Sequence, residues 1–259
     1  MRNRRLLALV AAGLVAAGTA VAAPAGASHA WGNYHWARTS NPFTLKVGDN
    51  VSSTWDGHLD TAVSDWSASS VLDLAKVAGG ANPRNCRGTA GRVEVCNSTY
   101  GNNGWLGIAQ IRASGSHITQ GVVKLNDTYF NTSRYNTAAW RNLVMCQELG
   151  HTFGLHHQDE AFDNPNLGTC MDYTDDPSSN QHPNAHDFSM LETIYAHLDS
   201  STTLGASAPN ARGAGGAGGA GGEAEWGRAI RYSADGRPSL FEQDLGGGQR
   251  VFTFVIWAR

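Results

Sequence analysis

Apolar residues in the 259-residue chain recur first at a period of two and later at a period near 3.6, which predicts strands followed by a long helix. From Trp31 to Lys46, Tyr34, Trp36, Phe43 and Leu45 alternate loosely with polar neighbours and predict an early strand, closed by a turn at Gly48-Asp49-Asn50. Trp55, Leu59, Ala62, Val63 and Trp66 then fall three and four residues apart, an amphipathic helix with Ser52, Ser53 or Thr54 as candidate caps. Val71 to Val77, Val93 to Cys96, Trp105 to Arg112 and Ile118 to Asn126 read as strands, with a polar loop over 79–91. A helix starts near Ala138 and carries Trp140, Leu143, Val144, Leu149 and Phe153 as apolar contacts. Asp187 is placed to cap a last helix bearing Phe188, Leu191, Ile194, Tyr195 and Leu198. Strands first and helices after them indicate an α+β domain.

The two ends of the chain depart from this pattern. Arg2, Arg4 and Arg5, the apolar Leu6 to Ala23 and the small-x-small Ala25-Gly26-Ala27 predict a signal peptide over 1–27. A main domain over 28–204 follows, then a Gly/Ala-rich linker over 205–223 and a tail over 224–259 with a few short strands. Thirty-odd residues without cysteine are marginal alone, so the tail either packs on the main domain or pairs with something else. After export the chain is expected to be extracellular and free of the membrane. A net charge of -3 gives no reason to expect a nucleic-acid partner. Cys86, Cys96, Cys146 and Cys170, an even number in an exported chain, predict two disulfides among three connectivities. Cys86 with Cys96 and Cys146 with Cys170 is the most local choice.

The candidate chemistry lies in Cys146-Gln-Glu-Leu-Gly-His-Thr-Phe-Gly-Leu-His-His-Gln-Asp159. On a helix Gln147 and His151 share a face, Glu148 stands beside them, and Gly154 lets the chain turn so that His157 returns towards the same point. Two imidazoles with a carboxylate at this spacing describe a Zn2+ site with a general base at its side. There Glu148 would take a proton from an activated water and pass it to the leaving amine of a peptide.

These residues resemble the metzincin metallopeptidases, whose motif is His-Glu-x-x-His-x-x-Gly-x-x-His followed by a Met-turn. Glu148, His151, Gly154 and His157 match, and Met171 matches the Met-turn residue that lies under the metal. Tyr173, two residues later, matches a tyrosine that ligates zinc or steadies the transition state in the astacin and serralysin branches. The resemblance implies a twisted mixed sheet, an active-site helix, a Met-turn and a C-terminal helix. It also implies that Trp105 to Arg112 is an edge strand that pairs with an extended substrate, and that Asp175 to Asn184 shapes the specificity pocket. A monomeric, secreted zinc endopeptidase acting on a protein or peptide substrate is the function expected. Gln147 departs from the motif, standing where the first histidine ligand belongs. A Gln147, His151, His157 ligand set is expected, with His156 or Asp159 as alternatives to Gln147. The other reading is a non-catalytic binding protein on the same fold. Pro83-Arg84-Asn85-Cys86 resembles the matrixin cysteine switch, but Asn85 intervenes and a disulfide is the expectation for Cys86.

Overall fold

The computed structural model describes residues 28–205 and 223–259; the expected signal peptide and most of the expected linker lie outside the described residues. Strands β1 (His35–Trp36), β2 (Phe43–Asn50), β3 (Leu72–Ala78), β4 (Val93–Ser98), β5 (Trp105–Ser114) and β6 (His117–Asn126) come first. They are interleaved with helix α1 (Ser53–Trp66) and followed by α2 (Asp127–Phe130), α3 (Ala138–His151) and α4 (Ala185–Ile194). The tail supplies β7 (Arg228–Tyr232), β8 (Pro238–Gly246) and β9 (Gln249–Trp257). All belong to one mixed sheet in the order β3-β2-β4-β6-β5-β9-β8-β7, with β1 joined to the start of β6. The fold is α+β.

Three local expectations are corrected. The early strand is two pieces, β1 and β2, interrupted near Pro42, which has no N–H to give to a ladder. Gly48-Asp49-Asn50 is not a turn but the end of β2, paired with β3 on one side and β4 on the other. Turn propensity loses there to a ladder on both edges, and a Cβ on Gly48 would lie 2.3 Å from a Glu94 carboxylate oxygen. Asp187 is the third residue of α4 rather than its cap. Asn184 caps the helix, and the Asp187 carboxylate accepts from the Asn184 backbone N–H in a capping box.

Helices α1 and α3 pack on each other and against the sheet. Leu143, Val144, Met145 and Leu149 of α3 join Trp55 and Trp66 of α1 in the main core. The Thr137 hydroxyl accepts from the Trp140 N–H and starts α3. Disulfides join Cys86 to Cys96 and Cys146 to Cys170, the second tying α3 to the turn that carries Met171. No helix among the described residues is long and apolar enough to cross a membrane.

The tail is the main surprise. Strand β9 runs antiparallel along β5 from Trp105↔Trp257 to Ser114↔Gln249, so β5 is an interior strand and not the edge the resemblance implies. The physical reason is in the side chains. Phe252, Phe254 and Ile256 face the main core, while Val255 and Trp257 enter a second apolar cluster with Trp226, Phe241, Trp105 and Ile108 on the opposite face. A strand apolar on both faces has to be covered on both, and the β5 edge offers that place.

Candidate metal centre

Helix α3 ends at His151, and Gly154 adopts φ +100°, a backbone region other residues resist. A Cβ at Gly154 would also stand 2.5 Å from the Tyr34 carbonyl oxygen, so this turn accepts little but glycine. The turn carries His157 back beneath the helix. His151 Nε2 and His157 Nε2 end 3.0 Å apart.

The other ring nitrogens fix what faces across that gap. His151 Nδ1 lies 2.9 Å from the Leu155 carbonyl, and His157 Nδ1 lies 2.8 Å from a Glu160 carboxylate oxygen. Both partners only accept, so each Nδ1 carries the hydrogen and each Nε2 presents a lone pair. Two lone pairs at 3.0 Å need a proton or a cation between them. Burial pushes both imidazoles well below their usual range, which disfavours the proton. A tetrahedral zinc ion holds ligand nitrogens about 3.3 Å apart, close to the separation here.

The remaining motif residues supply unsatisfied acceptors at the same helix face. Gln147 donates its amide N–H to the Cys170 carbonyl at 2.9 Å, which leaves its buried Oε1 without a hydrogen-bond partner. Glu148 is fully buried with both carboxylate oxygens unpartnered, and desolvation raises its pKa well above the ordinary carboxylate range. Gly107 of β5 makes room for it, since a Cβ there would meet Glu148 Oε1 at 3.0 Å and Val144 at 2.6 Å. Buried acceptors without donors are costly, and a cation relieves that cost. The donor set therefore fits zinc.

Met171 lies under α3, where a Cβ on Gly150 would meet its sulfur at 2.6 Å. The Tyr173 ring packs 4.3 Å from that of His157. Its hydroxyl, however, donates to the Val255 carbonyl of β9 at 3.0 Å, and the Phe254 ring stacks on His151 at 4.0 Å with 10° between planes. Of the two alternative ligands, His156 Nδ1 accepts the His157 N–H at 2.7 Å, and the Asp159 carboxylate accepts from Ala161 N–H and the Asn164 amide. A second grouping of His156, His157 and Glu160 brings donors together on the Nδ1 side of His157. Arg231 already pairs with Glu160 at 3.1 Å there, and its charge opposes a cation, so the Nε2 side is the better site.

Sequence reasoning missed Glu160, Gly107, Phe254 and Val255. Glu160 was within reach, as an acid three residues after a candidate ligand histidine. The signal for Phe254 was the run Val251-Phe-Thr-Phe-Val-Ile-Trp257, too apolar for a surface strand.

These pKa shifts predict acid lability of the metal-free chain. Burial holds His156 down to about 2, and His151 and His157 are lowered well below the ordinary value. Below the unfolded value near 6.5 the unfolded chain takes up protons that the fold refuses, each adding a slope approaching about 1.4 kcal/mol per pH unit. Glu148 acts oppositely, because its raised pKa gives stability at acid pH that is lost as pH rises above about 4.5. Three histidines outweigh one glutamate, so the urea midpoint should fall between pH 7 and pH 5. A flat midpoint over that range would contradict these burial effects.

No known protein-family profile matches the chain, and no curated protein matches it. Among solved structures it is similar to high choriolytic enzyme 1, a hatching enzyme zinc-protease from the medaka fish Oryzias latipes. The TM-score is 0.34 and the identity 10%, over 62% of this chain and 94% of that one. At that distance the site itself, not the neighbour, has to carry a functional reading.

Proposed function

We propose that the chain is a secreted zinc endopeptidase of metzincin type whose own C-terminal strand fills its substrate cleft. The observation that carries this reading is the pair of facing Nε2 atoms at the end of a helix on which Gln147 Oε1 and the Glu148 carboxylate are buried without partners. Gln147 Oε1, His151 Nε2 and His157 Nε2 would hold the metal. Zinc bound there supplies Lewis acidity that activates water and polarises a peptide carbonyl. Glu148, dry and with a raised pKa, is suited to take the proton from that water and give it to the departing amine. Glu160 fixes the tautomer and orientation of His157. Tyr173, once its hydroxyl is released from Val255, would donate to the developing oxyanion. The two disulfides fit an oxidising compartment.

Strand β9 supports the occupied-cleft part of the reading. It makes with β5 the ladder that an extended peptide would make. The same strand is what favours the second reading, a binding protein that has given up catalysis, because its Phe254 stacks on the face of the His151 ring. Metal analysis and peptide-library cleavage, on the whole chain and on a chain ending at Gly205, separate the two. Chelator-sensitive cleavage by the shortened chain is the result expected. Zinc binding without cleavage by either chain would favour the binding protein.

The amide of Gln147 is a weaker donor than imidazole. Gln147→His should tighten zinc by at least about tenfold, ~1.4 kcal/mol, in competition with a chromophoric chelator. An unchanged affinity would remove Gln147 from the ligand set.

A further inference from the structure

A second cluster of donors lies outside this centre, where the N-terminal strand, the start of β6 and the segment after α4 meet. We propose that His35, His117, His197 and Asp199 form a structural site for a zinc-like divalent ion. Asp199 Oδ1 lies 3.4 Å from His35 Nε2, 3.2 Å from His117 Nε2 and 3.8 Å from His197 Nε2. His35 Nε2 and His197 Nε2 are 3.2 Å apart. Ligands on a tetrahedral zinc ion stand about 3.3 Å from one another, so these four separations lie near what a single ion would impose, and His35, His117 and Asp199 offer ligand atoms all within 4.8 Å of one another.

The supporting contacts orient the donors. His35 Nδ1 lies 2.7 Å from the Asn33 carbonyl, which only accepts, so Nδ1 holds the hydrogen and Nε2 turns its lone pair into the cluster. That lone pair faces a carboxylate oxygen and a second imidazole nitrogen, an arrangement that a cation stabilises. Asp199 Oδ2 is held by the Arg38 backbone N–H at 3.1 Å and by the guanidinium at 2.9 Å, which aims Oδ1 at the three imidazoles. The same guanidinium offsets part of the carboxylate charge, so this site should bind less tightly than one with an unpaired aspartate. His35 and Asp199 are nearly buried, whereas the side chains of His117 and His197 are 36% and 53% exposed. An ion can reach the cluster from solvent.

The three elements are distant in sequence. β1 is a two-residue strand, and Asp199 returns its N–H to the Arg38 carbonyl just beyond it. An ion here would pin the end of the domain's last helical segment to the start of the sheet, as structural zinc does in small folds.

The test is zinc uptake by the whole chain, measured by elemental analysis after dialysis, beside the double variant His117→Ala/His197→Ala. Both replaced side chains are half-exposed, so the fold should tolerate the change, which circular dichroism checks. The double variant should lose about one zinc per chain relative to the unaltered protein, and with it part of the zinc-induced rise in thermal midpoint. A His151→Ala/His157→Ala chain should keep that ion while losing any ion of the candidate catalytic centre. Failure of the peptidase reading therefore leaves the loss in the first variant intact. Equal zinc uptake by the unaltered chain and His117→Ala/His197→Ala, or no zinc in either, would overturn the proposal.

Discussion

Phe254→Ala should raise peptide cleavage by roughly two orders of magnitude, because removing a fully buried Phe costs the docked tail about 3–4 kcal/mol. Phe254 is the β9 side chain on His151, and it also belongs to the main core. Its loss weakens the docked state selectively, while the β5–β9 ladder can still re-form. Removing β7, β8 and β9 altogether should have a larger effect on cleavage and a visible cost in stability. That cost arises because Leu240, Phe252 and Ile256 leave the core as well. The tail has further ties to the centre. Arg231 pairs with Glu160, which holds His157, and Arg259 pairs with Asp175 at 3.0 Å. Cleavage rates on a fluorogenic peptide library, with zinc content and circular dichroism checked for each chain, decide the matter. If both variants are folded and zinc-loaded yet cleave no faster than the whole chain, the tail is not what limits the site.

Glu148→Gln should lower cleavage by about 10²–10⁴-fold in the tail-shortened chain while leaving zinc bound, since an amide of the same shape cannot accept the proton. A second effect should appear in the metal-free whole chain. Glu148 has no hydrogen-bond partner for either oxygen and a pKa raised by desolvation. Stability lost on its ionisation is lost as pH rises through the interval between the unfolded value and the raised folded one. The neutral amide avoids that loss, so Glu148→Gln should be more resistant to urea than the unaltered chain at pH 8 and nearly equal to it at pH 4.5. A merely structural glutamate, hydrogen-bonded and ionised, would give destabilisation instead. Cleavage unaffected by the substitution would remove Glu148 as the base, whatever the stability result.

The motif from Gln147 to His157 was legible because its geometry is local. A helix places residues four apart on one face, and one glycine at positive φ is enough to bring His157 back. The strand order up to β6, the start of α3 near Ala138 and the α+β class follow from periodicity for the same reason. Ladders that override turn residues, as at Gly48 to Asn50, are not local.

The sequence alone determined that His151 and His157 can face each other, because spacing along one helix and one turn sets that. Only the tertiary structure decided two other things: that β5 is paired on both edges, and that Phe254 stacks on His151. The physical reason is the sequence distance of the partners. Phe254 lies far along the chain from His151, and the pairing that joins them is driven by burying an apolar strand on two faces. Strand pairing carries no address in sequence. It is fixed when the whole sheet and its two cores close.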